Sequence, residues 1–143
     1  EKMQITDNFK DSLLLIARIL MSLVFIAVAF DKALDFPYHT ADMHSHGIPF
    51  SDWLLWVSVV LELVAGMMLF FGVKTQLASA YLFVYLLLVS LLIHDFWAEA
   101  TVINHQYDLL HFYKTLSMAG GCIYIFLFGP GRFSVDGLRK SSV

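Results

Sequence analysis

The sequence is poor in charged residues, and this shortage excludes an ordinary water-soluble domain. Only 15% of its 143 residues are Asp, Glu, Lys or Arg, whereas 59% are hydrophobic. A soluble domain has about a quarter charged residues, which keep its surface in contact with water. The mean hydropathy of +0.71 is instead typical of a chain that is surrounded by lipid.

Cysteine and runs of basic residues are also scarce. Cys122 is the single cysteine, which excludes an intrachain disulfide and a CxxC redox pair. A net charge of −3 without any basic block argues against a nucleic-acid partner. We expect no cleavable signal peptide, because the first apolar run is long and no small-residue cleavage site leads from it into a polar domain.

Four apolar windows are long enough to cross a bilayer, whose core of about 30 Å needs about 20 apolar helical residues. They are residues 12–34, 52–73, 76–97 and 107–128. A helix pairs all its backbone polar groups internally, as lipid requires. The sequence therefore predicts an all-α fold, an integral membrane four-helix transmembrane bundle that forms a single domain over residues 1–143.

Turn-forming residues separate the first two windows. Asp35 and Pro37 follow the first window and predict its end. Ser51 or Asp52 is the predicted N-cap of the second helix. The interval 35–51 is accordingly predicted to be a loop.

The distribution of Lys and Arg predicts the orientation of the bundle, because cytoplasmic loops are enriched in these residues. Only Lys32 falls on the opposite side. We therefore expect both termini in the cytoplasm, loops 35–51 and 98–106 on the periplasmic side, and a flexible tail over 135–143. The basic residues assigned to the cytoplasmic side are Lys2, Lys10, Lys74, Arg132, Arg139 and Lys140.

Short polar or glycine-containing stretches lie in and beside the predicted helices. They are Phe30-Asp31-Lys32, His46-Gly47-Ile48-Pro49, residues 61–66, Ile93-His94-Asp95-Phe96-Trp97, residues 112–121 and residues 129–136. In this order and over nearly the whole chain, they resemble the DoxX family of bacterial inner-membrane proteins. The chain departs from the family pattern at Thr115, where Asn is common.

The resemblance implies a four-helix transmembrane bundle in the bacterial inner membrane. The family includes a subunit of an archaeal thiosulfate:quinone oxidoreductase. Other members resemble parts of membrane redox or thiol-stress complexes, and some accompany copper-handling peptide systems. What the resemblance implies for function is thus a redox-linked subunit, and whether the chain is itself an enzyme stays open.

Three ionisable residues lie deep in the predicted helices: Arg18, Glu62 and Lys114. A charge at the bilayer centre costs at least ~2.5–3.5 kcal/mol, so each of them needs a partner or a function. From the helical rise of about 1.5 Å per residue, Glu62 lies between the two cations in depth. Two interpretations stay open: Glu62 pairs with one or both cations and locks the bundle, or the cluster lines a polar cavity for a ligand or a proton.

Two helical patterns predict how the first windows pack. Asp11, Arg18, Phe25 and Lys32 are seven residues apart and share a helical face, which we expect to look into the bundle. In the second window, Gly66 is small enough to let a neighbouring helix approach closely.

All six histidines fall on the predicted outer side, in two groups. The first consists of His39, His44 and His46, together with Asp42. Imidazole and carboxylate groups bind transition metals. This group is either a solvated loop or a copper or zinc site.

The second group surrounds the outer ends of the last two windows, with His94 and His111 at similar depth. It admits a quinone head-group site, a transition-metal site that includes His105 and Asp108, a haem b pair, or interfacial histidines bound to water and backbone. Trp97 belongs to an aromatic belt or stacks on a flat ligand. The residues predicted to bind a small ligand are Arg18, Glu62, His94, Trp97, His111 and Lys114.

Three functions follow from these patterns. The first is a redox-linked subunit that binds a quinone or similar small molecule in the outer half of the bundle. The second is a non-catalytic assembly or anchor subunit whose partner, besides the lipid bilayer, is another membrane or periplasmic protein or a second copy. The third is metal handling by the periplasmic-side histidines.

Overall fold

A computed structural model of the chain describes residues 2–98 and 102–141, with side chains over 7–98 and 103–139. Every regular element in these residues is helical, which confirms the all-α prediction. The elements are α1 (Lys2–Leu34), α2 (Phe36–Ser45), α3 (Ser51–Phe71), α4 (Thr75–Leu92), α5 (Val102–Phe128) and α6 (Val135–Ser141).

Three helices in the described residues are long and apolar enough to cross a membrane. They are α1 from Asp7 to Leu34, α3 and α4. The first three predicted spans are thereby confirmed as candidate membrane helices.

The fourth predicted span lies within α5, which is not among these three. The 27 residues of α5 are enough in length, but its first half carries His105, Asp108, His111 and Lys114. Four membrane-spanning helices therefore stay a prediction.

The long helices pack as two neighbouring pairs, α1 with α3 and α4 with α5, and α3 joins α4 through a tight turn. Gly66 on α3 lies so close to α1 that an added Cβ would meet Phe25 Cβ at 3.2 Å. This confirms the predicted close approach. The buried core contains Phe25, Ala65, Leu69, Ala78, Leu82, Leu86, Ala119 and Cys122.

The predicted inward face of α1 is confirmed. Arg18 and Phe25 are 3% and 1% exposed, and Asp11 and Lys32 are partly buried. The face thus carries Asp11 and Arg18 toward one end of the molecule and Lys32 toward the other.

The interval predicted to be a loop after α1 contains α2, so that prediction was wrong. Only Asp35 interrupts the two helices, and helical hydrogen bonds run across it, from Asp35 N to Asp31 O and from His39 N to Asp35 O. Pro37 lies in the first turn of α2. Proline is tolerated there because the first N–H groups of a helix have no partner within it. Pro37, predicted from the sequence to mark the end of the first helix, is therefore part of the first turn of the next one.

The N-cap of α3 also differs from the prediction. Phe50, in a left-handed conformation, occupies that position, and no side chain caps the helix. Ser51 is the first helical residue, and its hydroxyl donates to the Ile48 carbonyl at 2.7 Å.

Helix α4 ends at Leu92, five residues before the predicted end at Trp97. The rings of Phe96 and Trp97 pack against Phe112 of α5, with centroid distances of 5.3 and 6.0 Å. These contacts accompany a non-helical course over residues 93–98. We call α2, His46, residues 90–98 and the first turns of α5 the histidine end.

At the opposite end, residues 129–136 fold back over the turn between α3 and α4. Buried Arg18 donates to the carbonyl oxygens of Pro130 at 3.2 Å and Phe133 at 2.8 Å. Gly72, with φ +70°, leaves room for the guanidinium, because an added Cβ would overlap Arg18 and Ser134. We call this region, with Arg18, Gly72 and residues 129–136, the terminal end.

Asp136 supplies the N-terminal cap that the α4 sequence lacks. Its carboxylate accepts hydrogen bonds from the backbone N–H groups of Lys74 and Thr75, both at 2.9 Å, and from the Thr75 hydroxyl at 3.0 Å. Burial opposes the charge, but these bonds outweigh it and hold the pKa of Asp136 below its ordinary value. The predicted flexible tail was therefore wrong for residues 135–141, which form α6, and residues 142–143 lie outside the described residues.

We expect Gly72→Ala to destabilise the protein more than Gly47→Ala. Both glycines have φ +70°, so both variants carry the left-handed cost of about 1–2 kcal/mol. Gly47 has no atom within 4 Å of an added Cβ, whereas Gly72 adds overpacking of about 1–3 kcal/mol. The measurement is the free energy of unfolding in detergent, and equal losses in the two variants would contradict the packing at the terminal end.

Candidate functional site

A charged network lies inside the bundle, where α1, α3 and α4 meet. Lys32 Nζ contacts Glu62 Oε2 at 2.7 Å, with side-chain exposures of 16% and 4%. The same ammonium donates to the Tyr85 hydroxyl at 2.7 Å and to Ser58 Oγ at 3.4 Å. The Tyr85 hydroxyl also lies 2.7 Å from Ser58 Oγ and 3.3 Å from Glu62 Oε2. We call these four residues the Lys32 network.

Helical spacing explains how the network forms. Ser58 and Glu62 are four residues apart on α3 and so share a face. Lys32 is in the last turn of α1. Tyr85 comes from the middle of α4, and Tyr81, one turn earlier, stacks beside it at 6.0 Å. Every charged or hydroxyl group of the network therefore meets a partner from another helix.

The ion pair expected for Glu62 exists, but with Lys32 rather than Arg18 or Lys114. Arg18 lies at the terminal end, and Lys114 is exposed on α5. The sequence placed Lys32 on the outer side, at the end of the first window. Helical hydrogen bonds instead continue past Leu34 into α2, and Lys32 lies beside Glu62.

His46 links α2 to the segment that follows α4. It is the C-cap residue of α2, and its Nδ1–H donates to the Asp42 carbonyl at 2.8 Å. Its Nε2 lies 3.2 Å from Asp95 Oδ1. Burial of the ring opposes its charge, but the Asp42 carbonyl and the carboxylates of Asp42, Asp95 and Asp108 outweigh burial and raise the pKa of His46.

His94, in the segment after α4, and His111 of α5 face each other, as their similar depths predicted. Their ring centroids are 5.1 Å apart, and the Tyr107 ring lies 4.3 Å from His111. Asp108 Oδ1 is 3.7 Å from His94 Nδ1, beyond hydrogen-bond length. The rings of His94, His111 and Tyr107 and the carboxylate of Asp108 therefore form one polar and aromatic cluster at the histidine end.

A second, mainly aromatic cluster lies next to His94 and His111. Phe96 packs edge to face on His105 and Phe112, and His105 Nδ1–H donates to the Phe96 carbonyl at 2.7 Å. Trp97 is exposed and meets Phe112 edge to face. His105 is therefore engaged by backbone, and Trp97 has the exposure expected of a belt residue.

The three histidines of the first predicted group point to different partners. His39 Nε2 lies 3.1 Å from Asp31 Oδ2, His44 is exposed, and His46 contacts Asp95. Within the described residues, no group of three or more His, Cys, Asp or Glu side chains has an arrangement that could hold a metal ion. Metal binding by His39, His44, His46, His105 and Asp108 stays a prediction.

Unpaired polar atoms concentrate at the histidine end. Of the six buried side-chain N and O atoms without a hydrogen-bond partner among the described residues, five lie there, and the sixth is Arg18 Nε. Native proteins pair nearly all such atoms, so a local excess marks a site that suits a polar ligand or ordered water. The five are Thr40 Oγ1, His46 Nε2, Ser90 Oγ, His94 Nδ1 and Asp95 Oδ1.

Sequence reasoning missed three of these residues. Ser90 is four residues before His94 in an otherwise apolar helix, and Asp95 follows His94 directly, so both signals were present. Thr40 was not predicted to be buried because its segment was taken for a loop rather than for α2. His46 Nε2 and Asp95 Oδ1 belong to this set although they lie 3.2 Å apart as an ion pair, because neither makes a hydrogen bond.

Comparisons with known proteins agree with the resemblance found in the sequence. The profile of the DoxX family matches residues 13–95. Inner membrane protein YqjF of Escherichia coli (strain K12) is 30% identical over 131 residues, which cover 92% of this chain and 95% of its own length. Inner membrane protein YphA of the same organism is 31% identical over 124 residues, covering 87% and 88%.

A eukaryotic relative is a longer protein. ER-derived vesicles protein ERV29 of Saccharomyces cerevisiae is 29% identical over 136 residues, covering 94% of this chain and 36% of its own length. No solved structure matches the chain.

We expect Glu62→Gln to lower the free energy of unfolding by about 3–5 kcal/mol, because it leaves a buried ammonium without its counter-charge. The double variant Lys32→Met/Glu62→Gln removes both charges and should recover most of the loss. Asp52→Asn, at an exposed acid of the same helix, is the control and should change stability by less than about 0.5 kcal/mol. Equal losses in the single and double variants would contradict the pairing.

The raised pKa of His46 predicts a pH dependence at the histidine end. A base with a raised pKa in the folded state contributes stability that is complete below its ordinary value of 6.5 and is lost as pH rises through the folded pKa. Hydrogen exchange of the α2 amides, corrected for intrinsic rates, should therefore be faster at pH 8 than at pH 5.5. His46→Gln should abolish this difference and His44→Gln should keep it, and the reverse result would exclude His46 as the titrating group.

Proposed function

Because the chain belongs to the DoxX family of multi-pass membrane proteins, we propose that it is a redox-linked membrane subunit that binds a small molecule of quinone type at its histidine end. In this proposal four helices, α1, α3, α4 and α5, cross the bacterial inner membrane. Both termini lie in the cytoplasm, and the histidine end faces the periplasm.

The length and packing of α5 support the fourth span. At about 1.5 Å per residue, its 27 residues extend about 40 Å, more than the hydrocarbon core of about 30 Å. It packs against α4 along the bundle. Its polar first half lies beside the histidine end, near the predicted membrane surface.

The placement of basic residues supports the orientation. Lys74, Arg132 and Arg139 lie at the terminal end. Lys32, the one basic residue that sequence placed on the other side, is paired with Glu62 inside the bundle. The asymmetry that orients membrane helices is therefore stronger than the sequence indicated.

The observation that carries the ligand proposal is the set of five buried polar atoms at the histidine end that make no hydrogen bond, of which Thr40 Oγ1 and Ser90 Oγ also have no ion-pair partner. A quinone head group is flat and apolar, with carbonyl oxygens that accept hydrogen bonds. His94 and His46 supply ring nitrogens at this end, and Asp95 and Asp108 are acids within 4 Å of them. Burial and the neighbouring His111 lower the pKa of His94 to about 4, so its neutral ring offers a hydrogen bond to a quinone carbonyl. The pKa of His46 is raised, which suits this ring to hold the proton that accompanies quinone reduction.

The aromatic side chains beside these groups suit a flat ring. Tyr107 and His111 form a tilted pair, and Trp97 and Phe112 form an edge-to-face pair. Sites for small molecules combine such apolar walls with a few placed polar groups. Of the six residues predicted to bind a ligand, His94, Trp97 and His111 belong to this proposed site.

The other three residues have different roles in this proposal. Glu62 belongs to the Lys32 network, which holds α1, α3 and α4 together beneath the site. Arg18 ties the terminal end to α1. Lys114 is exposed on α5 and does not reach the polar atoms of the network.

A second candidate function, an assembly or anchor subunit, is favoured by Lys114. Its exposed side chain, beside exposed Tyr113, lies about 10 Å inside the predicted fourth span by helical rise. A cation that faces lipid is costly. A helix from another membrane protein or from a second copy would cover it and supply an acidic partner.

We expect ubiquinone-1 to bind the purified protein in detergent and to quench tryptophan fluorescence in a saturable way. His94→Gln should weaken binding about tenfold, because it removes one hydrogen bond to the ligand, which contributes about 1.4 kcal/mol. His44→Gln is the matched control, because His44 is an exposed histidine of α2. Trp97→Phe should remove most of the quenching without abolishing binding measured by equilibrium dialysis.

Two results would contradict the redox proposal. One is a linear, unsaturable response to ubiquinone-1 in the wild-type protein. The other is an equal effect of His94→Gln and His44→Gln. Either result would leave the assembly function as the better interpretation of the exposed cation on α5.

A further inference from the structure

A basic groove opens at the terminal end, away from the histidines. It has a volume of about 1070 Å³ and lies between the turn that precedes α4, the end of α5 and α6. Lys74, Arg132 and Arg139 line it, together with a single acid, Asp136. Three cations against one carboxylate make the lining positive.

The acid of the groove is already engaged by the protein. Asp136 caps α4 through the backbone of Lys74 and Thr75. The backbone N–H of Arg132 donates to Asp11 Oδ1 at 3.2 Å. Within the described side chains, however, neither the Lys74 ammonium nor the Arg132 guanidinium has a carboxylate within 4 Å. The Arg132 guanidinium reaches only the amide oxygen of Asn8, at 3.4 Å. The charges of Lys74 and Arg132 are therefore available to an anion.

An apolar cleft continues the groove along the seam between α4 and α5. It has a volume of about 290 Å³, and its lining includes Ala80, Val84, Ile123 and Phe126. Leu77 and Leu127 line the groove one turn closer to the terminal end. The polar groove and the apolar cleft thus follow one another along the same two helices.

We propose that this seam binds one anionic phospholipid, with its phosphate in the basic groove and an acyl chain in the apolar cleft. The proposal rests on the four-span topology proposed above, since α4 and α5 must both face the bilayer. Basic pockets between membrane helices attract anionic head groups, whereas a lone inorganic phosphate would make no use of the apolar cleft. Along the seam, the positively charged groove is followed by the apolar cleft, just as the phosphate of a phospholipid is followed by its acyl chains.

The location gives the lipid a structural consequence. The groove is lined by residues of the α3–α4 turn, the end of α5 and α6, so a bound head group bridges three elements. A ligand that binds only the folded state stabilises it by mass action. The lipid therefore adds a clamp at the end opposite the site of the proposed redox ligand.

The test is native mass spectrometry of the full chain in detergent, titrated with phosphatidylglycerol or with phosphatidylcholine of the same acyl chains. We expect preferential binding of phosphatidylglycerol. Arg132→Gln should weaken it about fivefold, whereas Lys10→Gln, an exposed cation of α1 outside the groove lining, should change it less than twofold. Ala80→Trp, which fills the cleft and keeps the charge, should reduce binding of the long-chain lipid at least as much.

Equal affinity for the two lipids, or equal effects of Arg132→Gln and Lys10→Gln, would overturn the proposal. So would a lipid-free dimer that Ala80→Trp dissociates, because the seam would then be the interface with a second copy. His94→Gln should leave phosphatidylglycerol binding unchanged. A failed quinone titration with intact lipid binding therefore refutes the proposed function alone, and the opposite pair of results refutes the lipid site alone.

Discussion

The structure depends on one ion pair, between Lys32 and Glu62, in the interior of an apolar bundle. A charge that is buried without a partner is strongly destabilising, so α1 and α3 must keep the register at which Nζ reaches Oε2. Tyr85 adds α4 to the same contact, and Ser58 completes the hydrogen bonds. One polar network therefore sets the relative heights of three helices that apolar packing alone would allow to slide.

The two ends of the bundle follow from that register. With Lys32 at the depth of Glu62, α2 must carry the chain onward, and it brings His46 to Asp95. At the other end, Arg18 binds the backbone that follows α5, and Asp136 caps α4 from a distance of about sixty positions in sequence. At both ends, polar side chains bind the backbone or a charged group of another segment. The few polar groups of the chain are thus used to join its elements.

The candidate site was only partly predictable. His94 and His111 were placed together from helical rise alone, since depth along two antiparallel helices is a one-dimensional quantity. Ser90 and Thr40 were not predicted, because a hydroxyl in an apolar helix is ordinary until its surroundings are known. The expected partners of Glu62 were wrong for a related reason: depth does not say which faces meet. Lys114 and Glu62 are similar in predicted depth, but the Glu62 side chain is buried inside the bundle whereas Lys114 is exposed on its outside.

The sequence by itself determined the all-α character, three candidate membrane helices, the inward face of α1 and the family. These properties follow from composition, from apolar length and from the helical period, which are local quantities. Only the tertiary structure decided that Lys32 pairs with Glu62, that α2 extends α1 and that α4 ends at Leu92. Each of these depends on which side chains of distant segments meet, and a polar atom's partner is set by that meeting rather than by its neighbours along the chain.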